Sequence, residues 1–314
     1  MQHLIRVAER MLERLRRHSK DDTLIRDANH LTKLIIEESN RLSATIPQKP
    51  PPSRAVTSLD RSEIAEIFQL TADKAMEFEF EPSSGEQIFL PPHLESVLSD
   101  YKLAMGRTTK TEASSRSYID AIILLTLAQM KKEVASDPRS SISSVNSVRS
   151  IHIQHEIQVS MPWEFRDGLY VVGGRVDWSV WYENPDCLET NCILVEAKRL
   201  WEGTMAIQQC LAYMAMVYWT RKRAGLSDSS VWGIATDSVF WYFIHIRSDG
   251  TYAVGAYSFR NDPIKVVGMI SKLYRRVARV AELPTKNKRW TATSGLSFAS
   301  YQTASEEAPV EDTN

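Results

Sequence analysis

The sequence has few cysteines, and they lack the usual spacing of disulfide or metal frameworks. Only Cys187, Cys192 and Cys210 occur among 314 residues, and no two of them form a CxxC pair. Three cysteines in a chain of this length do not make the even, dense set of a secreted disulfide scaffold. We therefore expect reduced thiols and an intracellular protein, of nucleus or cytoplasm, that is not secreted.

Long apolar runs are also absent. No stretch reaches the roughly 20 apolar residues that a membrane-spanning helix needs. The N-terminus carries charges throughout, where a secretory signal would have an apolar segment. The sequence therefore predicts no membrane partner.

The chain has no excess of positive charge. It carries 38 Lys and Arg against 39 Asp and Glu, for a formal net charge of −1. Proteins that coat nucleic acid through their overall charge are excluded by this balance, because such binding depends on neutralising phosphates. An enzyme with a locally basic groove is still compatible with it.

A set of polar residues occurs in a fixed order in the middle of the chain. Asp177 follows an apolar segment and a glycine pair, and Glu196 and Lys198 follow a second apolar run. Side chains two apart on a strand share a face, so Glu196 and Lys198 should project together. Gln209 and Tyr213 are four apart, which places them on one face of a helix.

This pattern suits the binding of a divalent cation over a phosphodiester. Charges at the end of a buried strand need a partner, and Mg²⁺ prefers hard oxygen ligands such as the carboxylates of Asp177 and Glu196. Lys198 would then lie near the attacking water and the developing negative charge. In the alternative interpretation, Asp177 and Lys198 form a structural ion pair between two strands.

The ordered set resembles the PD-(D/E)XK nuclease superfamily, which has the restriction-endonuclease-like fold, and its Gln-x-x-x-Tyr element is similar to that of the RecB-like branch. The resemblance covers about residues 107 to 258, with Val176-Asp177 in place of the nominal Pro-Asp. It implies an α/β fold of α+β type with a mixed sheet and an αβββαβ core, extended by N-terminal helices and a C-terminal helix.

The same resemblance implies a magnesium-dependent nuclease, with Mn²⁺ as a substitute, that hydrolyses nucleic acid, DNA more than RNA. A non-catalytic module on the same scaffold, binding nucleic acid or protein, is the alternative. The intact Asp, Glu and Lys favour the enzyme, because a decayed site usually loses one of them.

The superfamily also carries an acidic residue on its first helix. Glu112 opens a strongly apolar helix, and its Glu-Ala-Ser-x-Arg start is similar to a fungal branch of the superfamily. Glu112 is therefore the candidate ligand and Asp120 the reserve, although an acid at a helix N-terminus also complements the helix dipole. The predicted site comprises the metal ligands Asp177, Glu196 and Glu112, the catalytic Lys198 and Gln209, and the substrate-binding Tyr213 and Arg199.

Composition divides the chain into four parts. Residues 1–46 carry two apolar stripes at helical spacing and predict a helical hairpin, which either packs on the neighbouring domain or mediates self-association. A proline-rich linker is predicted over 47–59, the nuclease-like domain over 60–283, and a polar, disordered tail over 284–314.

Periodicity within the domain predicts its elements. The predicted helices cover 60–80, 94–105, 204–223 and 263–282, the predicted strands cover 151–159, 231–236, 239–246 and 252–257, and 136–150 is predicted as a loop. In the first of these strands, His155 should share a face with Ile153 and Ile157 as a hydrogen-bonded core histidine, and Glu156 on the polar face is a candidate to support the metal site.

Overall fold

The computed structural model describes Leu12 and residues 22–45, 51–73, 88–106, 111–138, 140–165, 168–182 and 191–282. The chain divides into two compact units, residues 1–52 and 53–314. In the first unit, one long helix is described, α1 (Asp22–Thr45), which is the second helix of the predicted hairpin. The first predicted helix, apart from Leu12, and the predicted tail lie outside the described residues, and self-association stays a prediction.

The second unit is a mixed α/β structure, as predicted. Its described helices are α2 (Arg61–Ile67), α3 (Leu94–Met105), α4 (Glu112–Ser136), α5 (Ile142–Ser150), α6 (Gly203–Arg223) and α7 (Pro263–Glu282). Its strands are β1 (Ser53–Ala55), β2 (Thr71–Ala72), β3 (His152–Phe165), β4 (Gly168–Trp181), β5 (Asn191–Ala197), β6 (Val231–Thr236), β7 (Phe240–Ile246) and β8 (Thr251–Ser258). Among the described residues, no helix is long and apolar enough to cross a membrane.

All the described strands belong to one sheet. Its order is β1-β4-β5-β6-β7-β8-β2, and β3 pairs with the other edge of β4. The pairs β5–β6, β1–β4 and β2–β8 are parallel, whereas β3–β4, β4–β5, β6–β7 and β7–β8 are antiparallel. The sheet is therefore mixed, and β5 lies in its interior.

Helices cover both faces of this sheet. On one face, side chains of α3, α4, α5 and α7 form a first core with the sheet, to which Ile193 and Val195 of β5 contribute. On the other face, α2 and α6 form a second core that includes Leu194. The apolar run of β5 is thus buried on both sides, as its lack of polar alternation predicts.

Several predicted elements are confirmed. The helices over 94–105, 204–223 and 263–282 and the three strands between 231 and 258 are present, with boundaries that differ by one or two residues. These segments have strong periodicity and clear turn residues between them, so local pattern was sufficient.

Three predictions are wrong in part. The helix predicted over 60–80 ends at Ile67, because Gln69 adopts a φ of 52° and Thr71 then pairs with β8. The predicted loop over 136–150 contains α5, whose first turn is capped by Ser141, which accepts the Ser144 N–H at 3.0 Å. Serine is common in loops but is also a preferred residue at a helix N-cap, so its presence did not distinguish the two.

The predicted linker over 47–59 is the third of these. Its second half belongs to the second unit, which begins at Ser53. Residues 53–55 form β1, and Val56 and Leu59 are buried in the second core. Burial of the apolar side chains at these two positions stabilises the packing of the segment on the sheet.

The sheet divides along one edge of β4, where two different strands pair with successive stretches of β4, and we call this division the fork. One edge pairs with β3, while the other pairs with β1 over Val171–Gly173 and with β5 over Trp178–Trp181. Between these two stretches, the second edge pairs with none of the described strands. The Tyr213 hydroxyl of α6 fills the gap and donates to the Arg175 carbonyl at 3.0 Å. An aromatic side chain thus replaces a strand partner in the fork.

In both β3 and β4, the side chains change the face of the sheet toward which they point. In β3, Ile153 packs against the first core and Ile157 against the second, although residues four apart on a regular strand share a face. The switch occurs at Glu156, which adopts a φ of 53°. The prediction of a core His155 is therefore wrong, since its side chain is 49% exposed.

The same switch occurs in β4. Val176 belongs to the second core and Trp178 to the first, with Asp177 between them. The β3–β4 register is unbroken on either side of Glu156 and Asp177. The change of face is therefore local to Glu156 and Asp177. It directs the Asp177 side chain toward the end of β5, at the point where β4 and β5 stop pairing.

The fork predicts that Gly174 is required there. A Cβ on Gly174 would lie 2.4 Å from the Tyr213 Oη, so we expect Gly174→Ala to destabilise the protein by about 1–3 kcal/mol, as overpacking does. Chemical denaturation of Gly174→Ala, Tyr213→Phe and the double variant measures this effect.

The double variant should lose less stability than the sum of the two single variants, because phenylalanine removes the hydroxyl that clashes. Additive losses would mean that the two residues do not oppose each other in the fork.

Candidate functional site

The carboxylates predicted as metal ligands on the sheet come together at the fork. Asp177 comes directly before Trp178, the first residue of β4 that pairs with β5, and its Oδ2 accepts the Ala197 N–H at 2.7 Å. Glu196 precedes Ala197 on β5. Both side chains are almost completely buried, with 7% of Asp177 and 2% of Glu196 exposed. Two acidic groups are therefore withdrawn from water side by side.

Lys198 belongs to this cluster. Its Nζ donates to Glu196 Oε1 at 2.6 Å and to the Ala197 carbonyl at 3.0 Å. The other carboxylate oxygen, Glu196 Oε2, is buried and has no hydrogen-bond partner among the described residues. The ion pair made by Lys198 is thus with Glu196, two residues away on the same chain, and the alternative pair with Asp177 is not the contact that forms.

Arg116 of α4 lies at the centre of the acidic groups, and the sequence interpretation gave it no role. Its Nη2 donates to Asp177 Oδ1 and, at 3.0 Å, to Glu112 Oε1, and its Nη1 donates to Glu156 Oε1 at 3.1 Å. Burial works against its charge, but Asp177, Glu112 and Glu156 together raise the pKa of Arg116. The available signal was its spacing of four from Glu112, which puts both on one helix face.

The first-helix acid with a contact to the cluster is Glu112. Thr111 caps α4 by accepting the Ser114 N–H at 3.2 Å, and Glu112 lies in the first turn. Glu112 reaches Asp177 through Arg116, whereas Asp120, two turns on, accepts the Trp178 indole N–H at 2.7 Å. Asp120 thus has a structural partner, and Glu112 stays the candidate for the site.

Gln209 and Tyr213 lie on the α6 face that meets the fork. Gln209 Nε2 donates to the Tyr213 Oη at 3.4 Å, and Tyr213 is buried against β4. The neighbouring Gln208 donates to the Leu59 carbonyl at 2.6 Å and fastens the segment after β1. Gln208 therefore has a structural role, whereas the contact of Gln209 is with Tyr213, whose hydroxyl lies in the fork.

The cations around the cluster are at the surface. Arg175 is exposed and pairs with Glu156 at 3.5 Å, and Arg199, predicted to bind substrate, is exposed directly after Lys198. Glu156 of β3 thus forms ion pairs with both Arg116 and Arg175 and belongs to the same network of charges. We call the exposed pair Arg175 and Arg199 the basic border, to distinguish it from the acids that Arg116 and Lys198 already contact.

Burial controls the protonation of the two acids. Burial and the charge of Asp177 raise the pKa of Glu196 to about 8, against the opposing effect of Lys198. Burial also raises the pKa of Asp177, against the Ala197 N–H and Arg116, which lower it. A divalent cation would reverse this effect, because it favours the charged carboxylates.

The donor chemistry of Asp177 and Glu196 fits a hard divalent cation. Two buried carboxylates, one of them with an oxygen that lacks a partner, are suitable ligands for Mg²⁺ or Mn²⁺. Within the described part of the chain, however, no three His, Cys, Asp or Glu side chains are grouped so as to hold a metal ion. Arg116 takes the position between Glu112 and Asp177, so a cation that used all three acids would have to displace it.

Neither the models of known protein families nor the curated proteins contain a match to this chain.

The raised pKa of Glu196 predicts a pH dependence of stability. The folded protein holds a proton up to about pH 8, which the unfolded chain releases near pH 4.5. This stabilisation is complete below pH 4.5 and is lost as the pH rises through 8. We therefore expect metal-free Glu196→Gln to gain melting temperature relative to wild type between pH 5 and pH 9.

Thermal denaturation in EDTA across this range measures the difference. Glu95→Gln, which changes an exposed glutamate of α3, is the control and should follow wild type. A constant offset between Glu196→Gln and wild type at every pH would contradict the buried, protonated Glu196.

Proposed function

We propose that this chain is a metal-dependent nuclease of the restriction-endonuclease-like type that hydrolyses phosphodiester bonds. The observation that carries the proposal is the buried pair of Asp177 and Glu196 at the fork of β4 and β5, with the Lys198 Nζ 2.6 Å from Glu196. The element order α4, β3, β4, β5, α6, β6 supports it, since it follows the αβββαβ pattern with α5 inserted after the first helix.

Each residue then has a role that its contacts support. Asp177 and Glu196 would hold Mg²⁺ or Mn²⁺, with Glu112 as a third acid. The bound cation supplies Lewis acidity toward a phosphoryl oxygen and lowers the pKa of water. Lys198 donates from a fixed position beside Glu196, where it can orient the attacking water and stabilise the charge that develops on the phosphate. Gln209 and Tyr213 keep α6 against the fork.

The border of the cluster supports a nucleic acid as substrate. Arg175 on β4 and Arg199, which directly follows Lys198, are both exposed. Exposed guanidinium groups bind phosphates of the backbone and position the strand without reading its sequence. The net charge of −1 then requires the attraction to be local to this surface.

Arg116 favours a second candidate function, a module that binds nucleic acid without cutting it. A guanidinium bound to Glu112, Glu156 and Asp177 neutralises the acidic centre without a metal ion. If no cation displaced it, the basic border would still bind phosphates. We place this function second, because it leaves the buried Glu196 Oε2 without a partner.

The nuclease proposal predicts the effect of Asp177→Asn. Asparagine keeps the shape but removes the charge that a cation needs, so cleavage of plasmid or linear DNA and of RNA with Mg²⁺ or Mn²⁺ should fall on the order of 10²-fold or more. Stabilisation of the protein by Mg²⁺ in thermal denaturation should vanish with it, because a ligand that binds only the folded state stabilises that state.

Asp120→Asn is the matched control, because asparagine can still accept the Trp178 indole N–H. It should cleave as wild type does. Cleavage by Asp177→Asn at the wild-type rate would refute the assignment of the site, and wild-type protein that binds but never cleaves nucleic acid would favour the second function.

Competition between Arg116 and a cation gives another prediction. Arg116→Met removes the charge but keeps much of the stem, so three carboxylates lose their cation. We expect a lower melting temperature without metal, because the acids then repel one another. The Mg²⁺-induced rise should be larger than in wild type, because no guanidinium has to be displaced.

Arg175→Met is the control, since it removes an exposed cation that pairs with the same Glu156. It should leave both quantities close to wild type. A Mg²⁺-induced rise in Arg116→Met that is no larger than in wild type would show that the cation and Arg116 do not compete.

A further inference from the structure

Trp201 is an exposed aromatic residue that lies close along the chain to the candidate site. It lies three residues after Lys198, in the loop that joins β5 to α6, and 77% of it is exposed. The other tryptophans of β4, β6 and β7 are buried in the cores. Single exposed apolar side chains are common on protein surfaces, and Phe89 is another here, so exposure alone gives Trp201 no role.

The backbone of Trp201 is in an unfavourable conformation. The Glu202 N–H donates to the Arg199 carbonyl at 3.0 Å, which closes a turn with Trp201 at its third position, where φ is 73°. Turns of this kind normally place glycine at that position, because a side chain is strained at positive φ. Such strain costs on the order of 1–3 kcal/mol and accumulates at functional sites.

Asp237 holds the strained residue in place. It is 1% exposed, and its Oδ2 accepts the Trp201 N–H at 3.0 Å. Its Oδ1 accepts the N–H groups of Val239 at 3.0 Å and Phe240 at 2.7 Å. A buried carboxylate thus ties the β5–α6 loop to the β6–β7 turn, and it fixes the position of an exposed indole.

Packing does not account for a tryptophan at this position. The Trp201 ring meets the Phe240 ring at a centroid distance of 5.7 Å and an angle of 48°, but most of its surface stays in water. A glycine would relieve the strain, and the small area that the Trp201 ring buries adds little to stability. The residue therefore costs the free protein stability, and a ligand that covers the ring would explain its presence.

We propose that Trp201 is a stacking platform for an unpaired nucleobase beside the bond that is cut. This inference rests on the proposed nuclease function and names its substrate class, a nucleic acid that is single-stranded next to the site. The exposed Arg199, two residues before Trp201, supplies charge for the adjoining phosphate, while the flat indole receives the base. A base inside a duplex has both faces covered, so an intact duplex cannot use the platform.

The first experiment measures binding without cleavage. A labelled single-stranded oligonucleotide and its duplex are titrated with full-length protein in EDTA and in calcium chloride, and fluorescence anisotropy gives the Kd. We expect Trp201→Ala to weaken single-strand binding about 5- to 150-fold, the usual effect of removing one base–aromatic stack. Duplex binding should change little, and Trp201→Phe should retain most of the single-strand affinity.

Two controls separate stacking from a structural effect. Ile142→Ala removes another highly exposed apolar side chain, on α5, and should bind as wild type does. Trp201→Gly should melt at or above the wild-type temperature, because glycine accepts positive φ without strain, yet it should bind single strands as weakly as Trp201→Ala. A much lower melting temperature for Trp201→Gly would assign the residue a structural role and overturn the proposal.

The outcomes distinguish this inference from the function on which it rests. If Trp201→Ala binds single strands as wild type does while Asp177→Asn abolishes cleavage, the stacking proposal fails and the nuclease stands. The same holds if wild type binds the duplex as tightly as the single strand and Trp201→Ala weakens both alike. If wild-type protein binds no nucleic acid in either buffer, both proposals fail.

Discussion

The burial of two neighbouring carboxylates is the constraint on which the rest of the site depends. An ionised acid away from water is costly unless hydrogen bonds and opposite charges surround it. Asp177 obtains them from the Ala197 N–H and Arg116, whereas Glu196 obtains Lys198 on one oxygen and nothing among the described residues on the other. The free protein therefore contains a site that is neutralised but not fully satisfied. A divalent cation is the partner that would complete it without further protein groups.

The fork of β4 makes this arrangement possible. Had β4 and β5 continued to pair, the Ala197 N–H would have been available to a strand backbone and not to a carboxylate. Gly174 and the Tyr213 hydroxyl instead hold an opening beside the strand, and the face switch at Asp177 turns its side chain toward β5. The geometry of the site thus comes from an interruption of the sheet, and α6 stabilises that interruption from the second core.

The sequence predicted those parts of the site that are close along the chain. Glu196 and Lys198 share a strand face, and Gln209 and Tyr213 share a helix face, so their spacing was enough. Arg116 belongs to the Glu-Ala-Ser-x-Arg start, but its role was missed because its partners Glu156 and Asp177 are 40 and 61 residues away, and no periodicity links residues across that distance.

The exposure of His155 was missed for a different reason. Strand alternation assumes regular φ and ψ angles, and the φ of 53° at Glu156 breaks it within one residue. The strands and helices with uniform periodicity were predicted well, since each is determined by its own apolar pattern. The errors lie where tertiary contacts override that pattern, as at Gln69, which leaves its helix so that Thr71 can join the sheet.

Two features, one at the end of β5 and one in the loop that follows it, are unfavourable for folding but would favour binding. Glu196 is buried with an unsatisfied oxygen, and Trp201 combines a strained backbone with an exposed ring. Neither is explained by stability, because a glutamine at the first position and a glycine at the second would each remove a cost. Both are held firmly by neighbours, Lys198 for the acid and Asp237 for the turn. Groups that are fixed before binding lose little conformational freedom when a ligand arrives. A cation at Glu196 and a base at Trp201 would each relieve one of these costs, and the two residues lie close along the chain, as a reaction that needs both ligands at the same bond would require.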